Sequence, residues 1–164
     1  MIEDETYQAP SSNDGNIDPF SGTRKKKIVV DEGKCTGCRA CEYACAFQQS
    51  KAFHYDFSLI RISKNKENEG FFLPTLCRQC EDPPCVAECP VDAMTQDDGT
   101  GIIKIDESLC TGCKMCLEAC PWHVPNFRVR QKIATVCNLC QGEPLCVQYC
   151  SPGALIFEAA EEKP

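Results

Sequence analysis

The chain has 164 residues, a net charge of −7 and sixteen cysteines. The length allows one domain or two small domains that share a core, and the acidic charge disfavours binding to nucleic acid or anionic lipid. No stretch of about 18 apolar residues occurs, so we expect no membrane span. Because no apolar signal segment begins the chain, we expect a cytoplasmic location, with export alongside a signal-bearing partner as the alternative.

In chain order, the first segment is polar. Residues 1–27 show no helical or strand periodicity, which predicts an N-terminal arm that is either disordered or held against a partner or a second copy of the chain. Ile28–Asp31 then predicts a short β-branched strand before a cysteine run. A similar segment, Ile102–Asp106, precedes a later run, and both runs contain Cys-Thr-Gly-Cys. The chain therefore carries an internal repeat.

Residues 53–76 separate the first two cysteine runs and are predicted to form an inserted β-hairpin. Phe57–Ile62 and Phe71–Leu73 resemble strands, and the charged residues between them predict a solvent-exposed turn. His54 and Tyr55 at the entry to the hairpin are expected to be packing residues rather than ligands. Residues 159–164 are expected to form a C-terminal tail.

The sixteen cysteines fall into four quartets of 11 to 14 residues each. Quartet I is Cys35, Cys38, Cys41 and Cys45; quartet II is Cys77, Cys80, Cys85 and Cys89; quartet III is Cys110, Cys113, Cys116 and Cys120; quartet IV is Cys137, Cys140, Cys146 and Cys150. Quartets I and III share the spacing C-x2-C-x2-C-x3-C, whereas quartets II and IV have a wider middle gap that contains proline. Cysteines this close together do not easily form disulfides, and disulfides are rare in the cytosol, so the spacing favours metal ligation.

Quartet III, which is followed by Pro121, resembles the run of bacterial ferredoxins that ligates [4Fe-4S] clusters. Quartets II and III, 20 residues apart, together resemble a complete two-cluster ferredoxin. Sixteen thiols then predict four [4Fe-4S] clusters. Gly37 and Gly112 are expected to let their loops bend so that backbone N–H groups point at the clusters. Zinc is the alternative, although zinc ribbons lack third and fourth cysteines at these spacings.

Each quartet is expected to serve two clusters. The fourth cysteine lies one helical turn beyond the third, on a short helix that leaves the loop, so its sulfur reaches a different cluster. Pro84 suits the first turn of such a helix, and Pro90 and Pro121 are expected to end the helices. The predicted central ligand sets are Cys77, Cys80, Cys85 with Cys120, and Cys110, Cys113, Cys116 with Cys89. The predicted outer sets are Cys137, Cys140, Cys146 with Cys45, and Cys35, Cys38, Cys41 with Cys150.

A competing arrangement pairs quartet I with II and quartet III with IV. We prefer the nested arrangement because it gives each pair one quartet of each spacing, and because the inserted hairpin separates quartets I and II. The predicted fold is α+β, with two interlocked βαββαβ modules that resemble bacterial ferredoxins. Residues 28–52 and 130–158 are assigned to the outer two-cluster module, and residues 77–129 to the central one.

Residues 34–157 resemble the four-cluster ferredoxin-type electron-transfer subunits of molybdenum or tungsten pterin oxidoreductases. The most specific segments are Cys77-Arg-Gln-Cys80-Glu-Asp-Pro-Pro-Cys85, Cys89-Pro90 and Cys120-Pro121-Trp122. The short chain and the polar arm look most like the small subunit of a tungsten aldehyde oxidoreductase or the related subunit of a tungsten benzoyl-coenzyme A reductase. The resemblance implies four [4Fe-4S] clusters that carry electrons between a large pterin-containing catalytic subunit and another carrier.

Further implied partners are a flavin- or NAD-linked subunit, a ferredoxin and further copies of the chain. The alternatives are a free polyferredoxin-like carrier, or an electron-transfer subunit of a hydrogenase or carbon monoxide dehydrogenase. No Cys/His dyad, paired acid or phosphate-binding loop is evident, so we expect no catalytic residue in this chain. Four cations beside the quartets are expected either to tune cluster potentials or to be solvated surface charges: Lys34, Arg39, Arg78 and Lys114.

Overall fold

The computed structural model describes residues 25–66 and 70–159. The predicted N-terminal arm, apart from its last three residues, lies outside this range, as does the predicted tail after residue 159. The described strands are β1 (Lys26–Val30), β2 (Arg61–Lys64), β3 (Phe72–Thr75), β4 (Met94–Gln96), β5 (Ile103–Ile105), β6 (Asn126–Arg128), β7 (Ile133–Thr135) and β8 (Leu155–Ala159). The described α-helices are α1 (Ala40–Ser50), α2 (Pro84–Ala87), α3 (Met115–Ala119) and α4 (Leu145–Gln148). In this part of the chain no helix is both long and apolar enough to cross a membrane.

The described strands form antiparallel pairs rather than one continuous sheet. The pairs are β1–β8, β2–β3, β4–β5 and β6–β7. Strands β1 and β8 come from opposite ends of the described chain, and their register runs from Lys26 opposite Ala159 to Val30 opposite Leu155. The hairpin β6–β7 spans the module boundary predicted after residue 129. The β1–β8 pair therefore brings the segment before quartet I next to the segment after quartet IV.

The helix lengths follow the prolines. Pro84 is the first residue of α2, where its missing N–H needs no partner. Helix α2 ends at Ala87 and α3 ends at Ala119, shortly before Pro90 and Pro121. Ala46 follows quartet I in the place of these prolines, and α1 has eleven residues and ends only at Ser50.

The inserted hairpin is present, but its first strand begins later than predicted. A 3₁₀ turn at Tyr55–Phe57 precedes the buried residues 58–60, so β2 begins at Arg61. It pairs with β3 in register from Arg61 opposite Thr75 to Lys64 opposite Phe72. His54 and Tyr55 do not pack into the core; they are exposed and stack on each other, with ring centroids 5.6 Å apart.

The buried apolar residues form two clusters. The first surrounds the β1–β8 pair and the inserted hairpin: Ile28, Leu59, Ile60, Ile62, Leu76, Ile102, Leu139 and Leu155 with Cys41, Cys45 and Cys146. The second surrounds β4, β5 and β7: Met94, Ile103, Val124, Ala134 and Val136 with Cys77, Cys85 and Cys116. Cys137 packs against both clusters. Cysteine sulfurs are therefore part of the packed interior in both halves of the chain.

Candidate cysteine-lined metal centres

Three cavities of similar size are each lined by four cysteines. Site 1 contains Cys35, Cys38, Cys41 and Cys150. Site 3 contains Cys77, Cys80, Cys85 and Cys120. Site 4 contains Cys89, Cys110, Cys113 and Cys116. In each site three cysteines come from one quartet, and the fourth comes from the end of another.

The remaining four cysteines, Cys45, Cys137, Cys140 and Cys146, form site 2. Burial raises the pKa of Cys146, and the nearby Cys45 and Cys140 raise it further. Burial also raises the pKa of Cys140, and the nearby Cys45 raises it further. Burial likewise raises the pKa of Cys137, and Cys146 and Cys45 contribute to this rise. Cys45 of quartet I therefore lies among three cysteines of quartet IV.

Cysteines of neighbouring sites also act on each other. The pKa of Cys146 in site 2 is raised chiefly by burial, and Cys41 of site 1 contributes to this rise. Burial chiefly raises the pKa of half-buried Cys137 in site 2, and Cys77 of site 3 raises this pKa more than any other cysteine does. Burial raises the pKa of Cys116 to about 11, with contributions from Cys113 and from Cys85 of site 3. The order of neighbours is therefore site 1, site 2, site 3 and site 4.

The two end sites have the most exposed cysteines. Cys38 in site 1 and Cys113 in site 4 are exposed, whereas the other fourteen cysteines are buried or half-buried. Both belong to the repeated Cys-Thr-Gly-Cys loops. These two loops are therefore the most accessible edges of the four sites.

The glycines of these two loops are favoured over other residues by a positive φ angle and by close neighbouring atoms. Gly37 and Gly112 have φ angles of +71° and +72°. A Cβ atom at Gly37 would lie 2.5 Å from the ring of Phe72 in β3, and one at Gly112 would lie 2.3 Å from the carbonyl oxygen of Lys132. A hairpin thus packs directly on each loop, β2–β3 on the first and β6–β7 on the second. Only glycine fits at these contacts.

Three of the cations noted in the sequence line the cavities. Arg39 lines site 1, Arg78 lines site 3 and Lys114 lines site 4. Arg78 lies over the ring of Trp122, 4.8 Å from its centroid, and the amine of Lys114 lies 4.6 Å from the centroid of Phe127. These aromatic faces hold the cations beside the sulfurs.

Three residues that the sequence analysis did not single out form hydrogen bonds between distant segments of the chain around the sites. Glu42 on α1 is buried and accepts a hydrogen bond from the backbone N–H of Ile62, at 2.8 Å. The backbone N–H of Leu59 donates to Cys45 Sγ at 3.2 Å. The Gln79 amide donates to the carbonyl oxygen of Cys137 at 2.7 Å and accepts from the N–H of Ile103 at 3.2 Å. No spacing in the sequence indicates these partners, because each lies 14 to 58 residues away.

Replacing Glu42 with alanine should destabilise the chain by about 1–3 kcal/mol, because the buried N–H of Ile62 then has no acceptor. Glu42→Gln keeps a carbonyl oxygen at that position and should cost less. Anaerobic thermal unfolding of the two variants measures the difference. If glutamine is as destabilising as alanine, the ion pair with Arg39, at 3.7 Å, rather than the hydrogen bond, accounts for the effect.

The donor sets fit a metal centre that is bound by thiolates. All four donors in each of the three cavities are thiols, which suit both zinc and iron–sulfur clusters. Burial raises the pKa of Cys41 and of Cys77 to about 12, so these thiols are neutral at pH 7 without a metal. Metal binding would then release their protons.

Two families match this chain. Residues 68–160 match the 4Fe-4S dicluster domain, and residues 27–50 match a 4Fe-4S binding domain. The aliphatic sulfonate oxidoreductase, polyferredoxin-like subunit, of Pyrococcus furiosus is 36% identical over 123 residues, which cover 75% of this chain and 70% of that protein. The thiosulfate reductase electron transfer subunit PhsB of Salmonella typhi is 32% identical over 152 residues, with coverages of 85% and 79%.

Longer relatives and a solved structure also match. Hydrogenase-2 operon protein HybA of Escherichia coli O157:H7 is 31% identical over 170 residues. The match covers 82% of this chain but only 52% of HybA, so the chain spans about half the length of that relative. The active site complex BamBC of benzoyl coenzyme A reductase contains a chain that is 26% identical, with a TM-score of 0.48 and coverages of 85% and 82%. The dicluster match covers more than half of the sequence and includes three of the four quartets. The chain therefore belongs to the 4Fe-4S dicluster family of ferredoxin-type proteins.

Proposed function

We propose that the chain is an electron-transfer protein in which sites 1 to 4 each hold one [4Fe-4S] cluster. The observation that carries the proposal is the lining of the three cavities, each by four thiols drawn from two quartets. Bound clusters would supply reversible one-electron redox chemistry. The chain itself supplies the thiols, an apolar enclosure and the spacing between sites.

The order of the sites supports a role in electron transfer along a row. Sites 2 and 3 lie between the end sites, and none of their cysteines is exposed. Gln79 connects quartet II with the carbonyl oxygen of Cys137, at the point where the two apolar clusters meet. This side chain therefore fixes the distance between the two halves. We propose that electrons enter at one exposed end and leave at the other.

The nested arrangement of two interlocked modules is part of the same proposal. Helix α1 packs against α4, and α2 packs against α3, so the helices of quartets I and IV, and those of II and III, are neighbours. The β1–β8 pair joins the outer quartets in the same sense. The module boundaries at residues 28–52 with 130–158 and at 77–129 remain predictions.

Alanine variants of two cysteines separate the nested arrangement from the competing one. Cys45→Ala should expose Cys137, Cys140 and Cys146 to alkylation, whereas the competing pairing predicts exposure of Cys77, Cys80 and Cys85. Cys150→Ala should in turn expose Cys35, Cys38 and Cys41. We expect the iron content of each variant to fall from about 16 to about 12 atoms per chain. Mass spectrometry of the alkylated peptides and iron analysis measure both effects; about four zinc atoms and no iron would refute the clusters.

We further propose that the chain is a subunit of an oxidoreductase complex and contributes no catalytic residue. Two matched relatives are named as subunits, of an aliphatic sulfonate oxidoreductase and of a thiosulfate reductase. The narrower proposal is a large catalytic partner that contains a tungsten or molybdenum pterin, as in aldehyde oxidation. A cytoplasmic location is proposed with it, since the sixteen cysteines are all free.

Native mass spectrometry of the complex purified from its source tests this assignment. We expect the chain in a fixed ratio with one large subunit that contains a pterin and tungsten or molybdenum. A monodisperse single chain that reduces several unrelated enzymes would instead show a free carrier. A large subunit with nickel and iron would show a hydrogenase or a carbon monoxide dehydrogenase.

A further inference from the structure

The hairpins that pack on the loops of the two end sites, site 1 and site 4, differ in the charge of the residues that follow their first strands. Residues 128–132, which contain the turn between β6 and β7, read Arg-Val-Arg-Gln-Lys and include three cations and no acid. In the sequence, residues 64–70, which are the last residue of β2 and the six that follow it, contain two lysines and two glutamates and have no net charge. These two segments belong to the hairpins that pack on the loops of Cys113 and Cys38. The chain as a whole is acidic, with a net charge of −7, so the cations beside site 4 are opposite in sign to the net charge of the protein.

Several contacts fix these cations beside site 4. The backbone oxygen of Lys132 is close enough to Gly112 to exclude a Cβ atom there. Arg128 forms an ion pair with Glu107, at 3.6 Å, which ties the turn to the residues before quartet III. Lys114 lines site 4 and lies over the ring of Phe127 in β6. The loop of Cys113 and the turn of β6–β7 therefore form one continuous surface.

The charges on this surface are available to a partner. Lys114, Arg130 and Lys132, which we name the basic surface, are exposed, and none of them forms an ion pair with another residue in the described part of the chain. Three large apolar side chains on the same two segments are also exposed: Leu109 (50%), Met115 (41%) and Val129 (77%). Exposed apolar groups beside unpaired charges are typical of protein–protein interfaces.

Resting on the electron-transfer function proposed above, we propose that the basic surface docks an acidic one-electron carrier protein at site 4. An acidic carrier is repelled by most of a chain with this net charge, so the cationic patch directs it to the loop of Cys113. In the other basic stretch, Lys25–Lys27, the last two residues belong to β1 opposite β8, and none of the three lines a cavity of sites 1, 3 or 4. Site 1 is then left for a different partner.

A double charge reversal with a matched control tests the docking site. Arg130→Glu with Lys132→Glu changes the charge at site 4, and Lys64→Glu with Lys66→Glu makes the same change on the hairpin at site 1. The probe is a purified acidic two-cluster bacterial ferredoxin, titrated by calorimetry into the loaded full-length protein at low and high salt. The first variant should weaken binding about tenfold or more at low salt, and the control should change it less than about twofold. Salt should weaken binding to the unaltered chain.

Four outcomes would overturn the docking site. Three concern the ferredoxin: equal weakening by both variants, binding to the unaltered chain that does not depend on salt, and no binding at low salt. The fourth is loss of the large catalytic subunit instead of the ferredoxin in the first variant, which would assign the surface to that subunit. Iron content and electron paramagnetic resonance spectra of every variant are recorded first. A chain without iron–sulfur signals refutes the proposed function, whereas loaded variants with unchanged ferredoxin binding refute the docking site alone.

Discussion

Replacing Gly112 with alanine should lower the thermal unfolding midpoint of the loaded protein by about 10 °C, with a loss of about 3–4 kcal/mol. Two effects add. Alanine is strained at a φ of +72°, and its Cβ would lie 2.3 Å from the carbonyl oxygen of Lys132. This oxygen belongs to backbone, so relief of the contact requires the β6–β7 hairpin to move away from the loop. Anaerobic circular dichroism during heating measures the shift.

Gly153→Ala provides the matched control. Gly153 has a similar φ of +67°, but a Cβ atom there would meet nothing within 4 Å. Its substitution should therefore cost only the backbone strain, about 1 kcal/mol or 3 °C. We also expect Gly112→Ala to weaken iron retention at site 4, since the loop carries Cys110 and Cys113. Equal shifts for the two variants would mean that the contact with Lys132 contributes nothing.

Removing iron from the reduced protein should unfold most of the chain. Every described strand pair has only two strands of 3 to 5 residues, and isolated pairs of this kind are marginally stable in water. Six of the buried side chains are cysteines, Cys41, Cys45, Cys77, Cys85, Cys116 and Cys146, so the interior is built around the four sites. A bound cluster connects segments that are distant in sequence, and its binding free energy becomes folding free energy. Loss of the proposed clusters would remove these connections at all four sites.

Treatment with a chelator and an oxidant, followed by a thiol reductant, prepares the metal-free chain without disulfides. We expect an increased hydrodynamic radius, loss of the near-ultraviolet circular dichroism and rapid proteolysis. Reconstitution with iron and sulfide should restore the original values, and reconstitution with zinc should not. A metal-free chain that keeps its radius and its resistance to protease would show that apolar packing alone maintains the fold.

The sequence was most informative where chemistry depends on local spacing. The quartets and the short helix at each third cysteine follow from residues that are close together in the chain. Pro84 is at the start of α2, and Gly112 has a positive φ, as the spacing of the cysteine runs predicts. Helix α1 exceeds one turn because alanine replaces proline after Cys45. Local sterics decide these features, so the linear pattern contains them.

The residues that the sequence did not indicate act over long distances. Glu42 holds the N–H of Ile62, and Gln79 holds the carbonyl oxygen of Cys137 58 residues away. A buried carboxylate and a loop amide have no periodic pattern of their own. The first strand of the inserted hairpin also began later than predicted, because Ser58, Leu59 and Ile60 are buried instead of extending the ladder, and the N–H of Leu59 donates to Cys45 of α1.

The sequence by itself determined that this chain has four thiol quartets, which quartets share a spacing, and that the whole is acidic. Only the tertiary structure decided which cysteine completes each set around a cavity, which two loops reach the surface, and that the cations of residues 128–132 lie beside one of them. The physical reason is the range of the interactions. Spacing within a loop is set by bond geometry, whereas the β1–β8 pair and the first apolar cluster bring together residues more than a hundred positions apart.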